Sequence, residues 1–284
     1  MKKYGWGDLP ESVRTATQDH VGAVLRAESA TAGQGCNAAL TLYRTDGEPV
    51  FVKAVLGVSP EMRWLRNEAE AGSLAAGIAP TVLFHEDVDD WLVVGFERVS
   101  GRPASLAPDS PDLTTVASVL ERISAIEAPD LRPLQARWTA SWWTKLADER
   151  PNGLGTWDLT ELVEWEKKAT EAVTGNCLLH TDLHADQFIL GDNGEAHVID
   201  WGWPARGAAW VDSAFLVLRL IGGGHRPADA ETWAAAHTPW SAATEDDVTA
   251  FAVYVAGLWN YKATSDKLAQ LARTYAGWRL RIMD

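Results

Sequence analysis

Cysteine is almost missing from this chain, with Cys36 and Cys177 the two in 284 residues. Two thiols that far apart make neither a disulfide framework nor a zinc site, so each reads as a small apolar residue and the expected compartment is a reducing cytoplasm. No apolar run approaches the ~20 residues that span a bilayer. Lys2 and Lys3 are followed by Tyr4-Gly5-Trp6-Gly7-Asp8 and not by the apolar stretch of a signal peptide. Basic charge is also short. Twenty-five Lys and Arg face 39 Asp and Glu, a net charge of −14. Residues 1–100 hold 9 basic and 14 acidic residues and the remainder 16 and 25, so there is neither a basic half nor an acidic tail. Nucleic acid and anionic membrane would be repelled, and neither is expected as a partner. Internal repeats and low-complexity segments are absent.

Apolar residues make up 46% of the chain and charged residues 23%, as in a folded globular protein. Tryptophan is abundant: twelve of the 15 lie after residue 137. They are expected to build a helical core, with a minority available to stack on a flat or sugar-like ligand.

Periodicity divides the chain. Residues 11–20 read as a short helix, and 21–29, 38–43 and 49–55 as strands, the last two joined by a turn at Asp46-Gly47. Residues 61–76 carry Met62, Leu65, Ala69 and Leu74 at helical spacing, and 81–84 and 91–96 read as further strands. Val99-Ser100-Gly101-Arg102-Pro103 breaks the pattern as a hinge. Helical periodicity then covers 111–126, 136–149, 157–174, 208–222, 227–237 and 244–276. The expected architecture is α+β and bilobal: a small antiparallel β lobe with one long helix over residues 1–98, and a larger, mainly helical lobe over 99–284.

One stretch concentrates the chemistry. Apolar Leu178-Leu179 enters the polar loop His180-Thr181-Asp182-Leu183-His184-Ala185-Asp186-Gln187, and Phe188-Ile189-Leu190 leaves it. A second apolar run, Ala196-His197-Val198-Ile199, ends in Asp200. Two carboxylates and an amide at such loop ends are the parts of a phosphoryl-transfer site, with a base for a hydroxyl and oxygen ligands for Mg²⁺. Taken singly, either Asp could simply cap a turn. His180, His184 and His197 lie on loop and strand with no further ligand nearby, and zinc is not expected.

Together these motifs resemble the aminoglycoside phosphotransferase family of the protein-kinase-like fold, over nearly the whole chain. The resemblance rests on His180-x-Asp182-Leu183-His184, on the amide five residues after Asp182, on Ile199-Asp200-Trp201-Gly202, and on Gly207-x-x-Trp210-x-Asp212. It implies an ATP- (or GTP-) dependent transfer of the γ-phosphoryl group to a small-molecule hydroxyl. Asp182 would orient the acceptor hydroxyl, and Asp200 and Gln187 would hold Mg²⁺. The family has Asn where this chain has Gln187, whose carbonyl sits one methylene further out. His180 would hold the loop by packing and hydrogen bonding. Phe51-Val52-Lys53-Ala54-Val55 resembles the strand that presents the phosphate-binding lysine, and Arg66-Asn67-Glu68 supplies its partner, Glu68. Gly33, Gly35 and Asn37, in the loop before the second strand, would cover the nucleotide. Main-chain groups of Glu97 and Val99 would meet the adenine edge.

Asp200 lies only ten residues before Trp210, too few for a peptide-docking segment, so a hydroxylated small molecule is expected as the acceptor. Asp229, Glu231, Glu245, Asp246 and Asp247, with Trp233, Trp240 and Trp259 close in sequence, would form either an acidic aromatic pocket for a cationic antibiotic or a solvated charged face. A metabolic kinase and a non-catalytic nucleotide-binding protein are the alternative readings. The oligomeric state is left open.

Overall fold

The computed structural model of the chain describes residues 1–30, 35–192, 194–262 and 265–282. The order of elements is α1 (Glu11–Val21), β1 (Val24–Ser29), β2 (Ala38–Arg44), β3 (Val50–Leu56), α2 (Pro60–Leu74), β4 (Val82–Val88), β5 (Trp91–Glu97) and β6 (Arg102–Pro103). It continues with α3 (Asp112–Ser124), α4 (Trp142–Glu149), α5 (Leu159–Ala172), β7 (Cys177–Leu179), β8 (Phe188–Leu190), β9 (Ala196–Val198) and β10 (Ala205–Gly207). Four helices close the chain: α6 (Val211–Gly222), α7 (Pro227–Ala235), α8 (Glu245–Lys262) and α9 (Asp266–Leu280).

The chain forms two compact units, Met1–Ala104 with Asp186–Pro204, and Ser105–Ala185 with Ala205–Asp284. The α+β class expected from the sequence, with a small antiparallel sheet and a mainly helical remainder, is what the structure has. Residues 186–204, which a division at residue 98 leaves with the C-terminal part, pack with the first unit. The cause is local pairing: β8 pairs with β6, the Ala104 N–H donates to the Phe188 carbonyl, and the Val198 N–H donates to that of Ile78.

In the first unit five strands form an antiparallel sheet in the order β1-β2-β3-β5-β4. Side chains alternate across a strand. Val50, Val52 and Ala54 of β3 therefore point into one apolar cluster with Leu40, Leu42 and Val13 of α1, while Phe51 and Val55 join Leu65 and Ala69 of α2 in another. Lys53 has the parity of Phe51 and Val55, which sends it toward the α2 face. Helix α2 starts where it does because Ser59 accepts the Met62 N–H and Pro60 occupies the first turn. Gly95 in β5 has no substitute, since a Cβ there would lie 2.1 Å from the Phe84 ring.

The second unit is mainly helical, with β7 and β10 as a two-stranded antiparallel pair. Tryptophan fills its core as expected. Trp138 stacks on Tyr254 with centroids 4.1 Å apart, Trp143 packs on Trp157, and the edge of Trp210 meets Phe251. The helical span 244–276 is two helices, α8 and α9; Ser265, in extended backbone, precedes α9.

Candidate active site

In the first unit the strand and helix deliver a buried cation between two acids. Lys53 Nζ donates to Glu68 Oε1 and Oε2 at 2.8 and 2.9 Å and to Asp200 Oδ1 at 2.5 Å. The Asp200 N–H returns a bond to Glu68 Oε1 at 3.2 Å. Lys53 and Glu68 are 14% and 11% exposed, whereas Asp200 is 51% exposed. Burial alone would lower the Lys53 amine, but the two carboxylates outweigh it and hold Lys53 above its ordinary value. Burial pushes the Glu68 carboxyl up, against the pull of Lys53. Three groups carry one positive and two negative charges. The excess anion lies on the exposed Asp200, where a metal–phosphate complex would be complementary.

The hairpin β8–β9 brings Gln187 to the same end as Asp200, because Phe188 pairs with Val198 and the Ile199 N–H donates to the Gln187 carbonyl at 3.0 Å. Gln187 is nevertheless buried, at 3% exposure. Among the described residues no group of three His, Cys, Asp or Glu could hold a metal. One exposed carboxylate beside a lysine suits Mg²⁺, which takes few protein ligands and completes its shell with phosphates and water.

In the second unit Asp182 is half-exposed and accepts from Arg219 of α6 at 3.2 Å. The Arg219 guanidinium lies 5.3 Å from the centre of the Trp259 ring, and its Nε is buried without a partner. Burial pulls this guanidinium below its ordinary value, which Asp182 opposes. The loop before Asp182 is held from beneath. His180 is fully buried, and its Nδ1 accepts the Asp182 N–H at 3.3 Å. Asp212, in the first turn of α6, accepts the N–H groups of His180 and Thr181 at 2.7 and 2.9 Å, and burial raises its carboxyl to about 6.

The structure thus joins Lys53, Glu68 and Asp200, with Gln187 beside them in the backbone. Asn37 proves to be a fastening of the sheet. Its side chain donates to the Lys2 carbonyl and accepts the Leu56 N–H, and its own N–H and carbonyl bond to Ala54 and Tyr4. Gly33 lies outside the described residues, and Gly35 is exposed just before β2. Glu97 ends β5 with its N–H bonded to the Thr81 carbonyl, and Val99 follows, half-buried. Arg219 escaped the sequence reading, since nothing in an apolar helix marks one arginine. The five acids for which the sequence allowed either a pocket or a solvated charged face each have a partner: Asp229 with Arg226, Glu231 and Glu245 with Arg279, Asp246 with Lys168, and Asp247 with Thr244.

The sequence matches the phosphotransferase enzyme family over residues 38–247, and the chain belongs to that family. It is a phosphotransferase of the small-molecule kinase type. Three solved structures illustrate the fold. A thermostable variant of aminoglycoside phosphotransferase APH(4)-Ia, in a ternary complex with AMP-PNP and hygromycin B, is 16% identical, with a TM-score of 0.66 over 96% of this chain and 99% of that one. The choline kinase LicA from Streptococcus pneumoniae gives 16%, 0.63, 96% and 99%. A putative fructosamine-3-kinase from Haemophilus somnus gives 15%, 0.60, 95% and 97%. No curated protein matches the sequence. Among the described residues no helix is long and apolar enough to cross a membrane.

Proposed function

We propose that the protein is an ATP- (or GTP-) and Mg²⁺-dependent O-phosphotransferase that phosphorylates a hydroxyl of a small molecule in the cytoplasm, an aminoglycoside-like or other antibiotic being the first acceptor to test. The observation that carries this is the Lys53–Glu68–Asp200 group, a cation fixed by a buried acid beside a second acid left half in solvent. The metal-bound nucleotide supplies the activated phosphoryl group. Lys53 neutralises phosphate charge, Glu68 orients Lys53, and Asp200 with Gln187 offers oxygen ligands to Mg²⁺. Gly35 approaches the phosphates through backbone, and Glu97 and Val99 meet the base. Asp182 accepts the hydrogen bond of the acceptor hydroxyl and aligns it; Arg219 holds one of its oxygens, leaving the other for the acceptor.

The largely buried pairing of Glu231 with Arg279 favours a second reading, a metabolic kinase for a sugar, amino alcohol or nucleoside-like metabolite, because it withdraws one of the five acids after residue 228 from a polycation. One experiment separates the readings. The protein is incubated with Mg·ATP or Mg·GTP and panels of hydroxylated antibiotics and metabolites, and products are searched by mass spectrometry for one added phosphoryl group. Turnover by wild type and not by Asp182→Asn supports the proposal. Equal behaviour of the two across both panels refutes it.

A further inference from the structure

Helix α2 does more than present Glu68. Trp64, Asn67 and Glu68 are spaced i, i+3 and i+4 and so share one helix face. That face meets the segment after β9 residue by residue. Glu68 accepts the Asp200 N–H at 3.2 Å, the Asn67 side-chain amide donates to the Gly202 carbonyl at 3.0 Å, and the Trp64 ring packs on Trp203 with centroids 4.9 Å apart. Close approach is built in, since a Cβ on Gly202 would lie 3.2 Å from the Cβ of Trp64. The segment needs such support. Asp200 has φ +64, a left-handed backbone that costs about 1–3 kcal/mol and persists only when its surroundings over-determine it. The Gly202 N–H donates to the Asp200 carbonyl at 2.8 Å, so a hold on Gly202 is transmitted to Asp200 through a single turn.

We infer that Asn67 and the Trp64–Trp203 pair are positioning residues: they latch the turn 200–203 to α2 and so fix the Asp200 carboxylate for the metal-bound nucleotide, with no separate ordering event. This rests on the nucleotide and Mg²⁺ reading above. The latch lies wholly within the first unit, and the Asn67–Gly202 bond and the Trp64–Trp203 contact are made by groups other than Lys53 and the Asp200 carboxylate. Its loss should therefore act on the metal-dependent part of nucleotide binding and spare the rest.

The test compares wild type with Asn67→Leu, Trp203→Ala and Trp203→Phe. ATP affinity is measured with Mg²⁺ and in EDTA, and amide exchange is followed across residues 199–204. Thermal melting shows which variants are folded. Loss of a group that orients a metal ligand costs about 10–100-fold in metal affinity. Asn67→Leu and Trp203→Ala should weaken Mg·ATP about tenfold, leave binding in EDTA within about twofold, and speed exchange across 199–204, while Trp203→Phe recovers most of the loss. If Asn67→Leu fails to fold, the two Trp203 variants carry the test. Equal shifts with and without Mg²⁺, or none, overturn the latch and leave the kinase reading standing. Absence of nucleotide binding by the wild type overturns both.

Discussion

Replacing Lys53 with methionine separates the electrostatics of the site from its shape. Methionine keeps most of the apolar stem and removes the charge. In wild type the amine makes two bonds to a buried carboxylate and one to a half-exposed one. Breaking a buried ion pair by deleting one partner costs about 3–5 kcal/mol, since the remaining charge is stranded away from water. Asp200 contributes at most about 1 kcal/mol, because its exposure lets solvent replace the lysine. A destabilisation of about 4 kcal/mol corresponds to a fall in Tm of roughly 10 °C for a chain of this size.

The loss should also depend on pH, and its sign follows from linkage. Without Lys53, burial acts on Glu68 against the Asp200 N–H alone, and its folded-state carboxyl rises further above the unfolded value. The folded variant then binds more protons than the unfolded chain, so its stability falls as pH rises through the folded-state value. The gap between wild type and Lys53→Met should therefore be smaller at pH 5 than at pH 8. Lys53→Met/Glu68→Gln, which strands no charge, should recover much of the Tm at pH 8 while nucleotide affinity stays lost. Thermal melts of the three proteins at both pH values decide it. An equal loss at pH 5 and pH 8, or no recovery in the double variant, would refute the assignment of Glu68 as the buried anion of a charged pair.

Arg219→Ala should lower kcat for the identified acceptor by about 10–100-fold with a smaller change in KM, and Arg219→Lys should restore part of it; steady-state kinetics would show this, and a pure KM effect would assign Arg219 to binding alone. Asp212→Asn turns an amide N–H toward one of two backbone donors and should cost about 1–3 kcal/mol in a urea melt, with phosphoryl transfer reduced through the displaced loop. Gly101→Ala should be more disruptive than most alanine substitutions, because at φ +153 its Cβ would lie 2.4 Å from the Leu190 carbonyl oxygen; wild-type melting behaviour would contradict the β6–β8 pairing described above.

What the sequence disclosed depended on range. Lys53 was legible because a charged residue inside Phe51-Val52-Lys53-Ala54-Val55 must find a counterion. Glu68 was legible through the resemblance carried by Arg66-Asn67-Glu68, and the structure buries it with Leu65 and Ala69 of the same helix. Strand pairing was harder. Two-residue β6 and three-residue β10 carry no periodicity of their own and exist only through β8 and β7. Asn37, two residues after Gly35 and just before a strand, has the look of a phosphate loop, but its side chain is bonded to the backbone at Lys2 and Leu56. The acids after residue 228 left two readings open for a related reason: Glu231 and Glu245 meet Arg279, whose contribution no local pattern reveals.

The two acids assigned to chemistry are supported in the same way. Asp200 is itself in left-handed backbone, and Asp182 directly follows Thr181, which has φ +67. For a β-branched residue that conformation is a marked outlier. In each case a second, buried carboxylate accepts the amide at the strained point: Glu68 at Asp200, and Asp212 at His180 and Thr181. A hydrogen bond to a charged acceptor contributes about 1.5–3 kcal/mol, comparable to the strain of one such residue. Burial raises both supporting acids, so each spends part of its own solvation to hold a neighbour's backbone. Protonating either support would weaken the bonds that hold the strained turn while leaving Asp182 and Asp200 chemically intact. Activity lost on acidification should therefore track two supporting groups that never meet the acceptor hydroxyl, with Asp212 giving way near pH 6 and its asparagine variant removing that part of the profile.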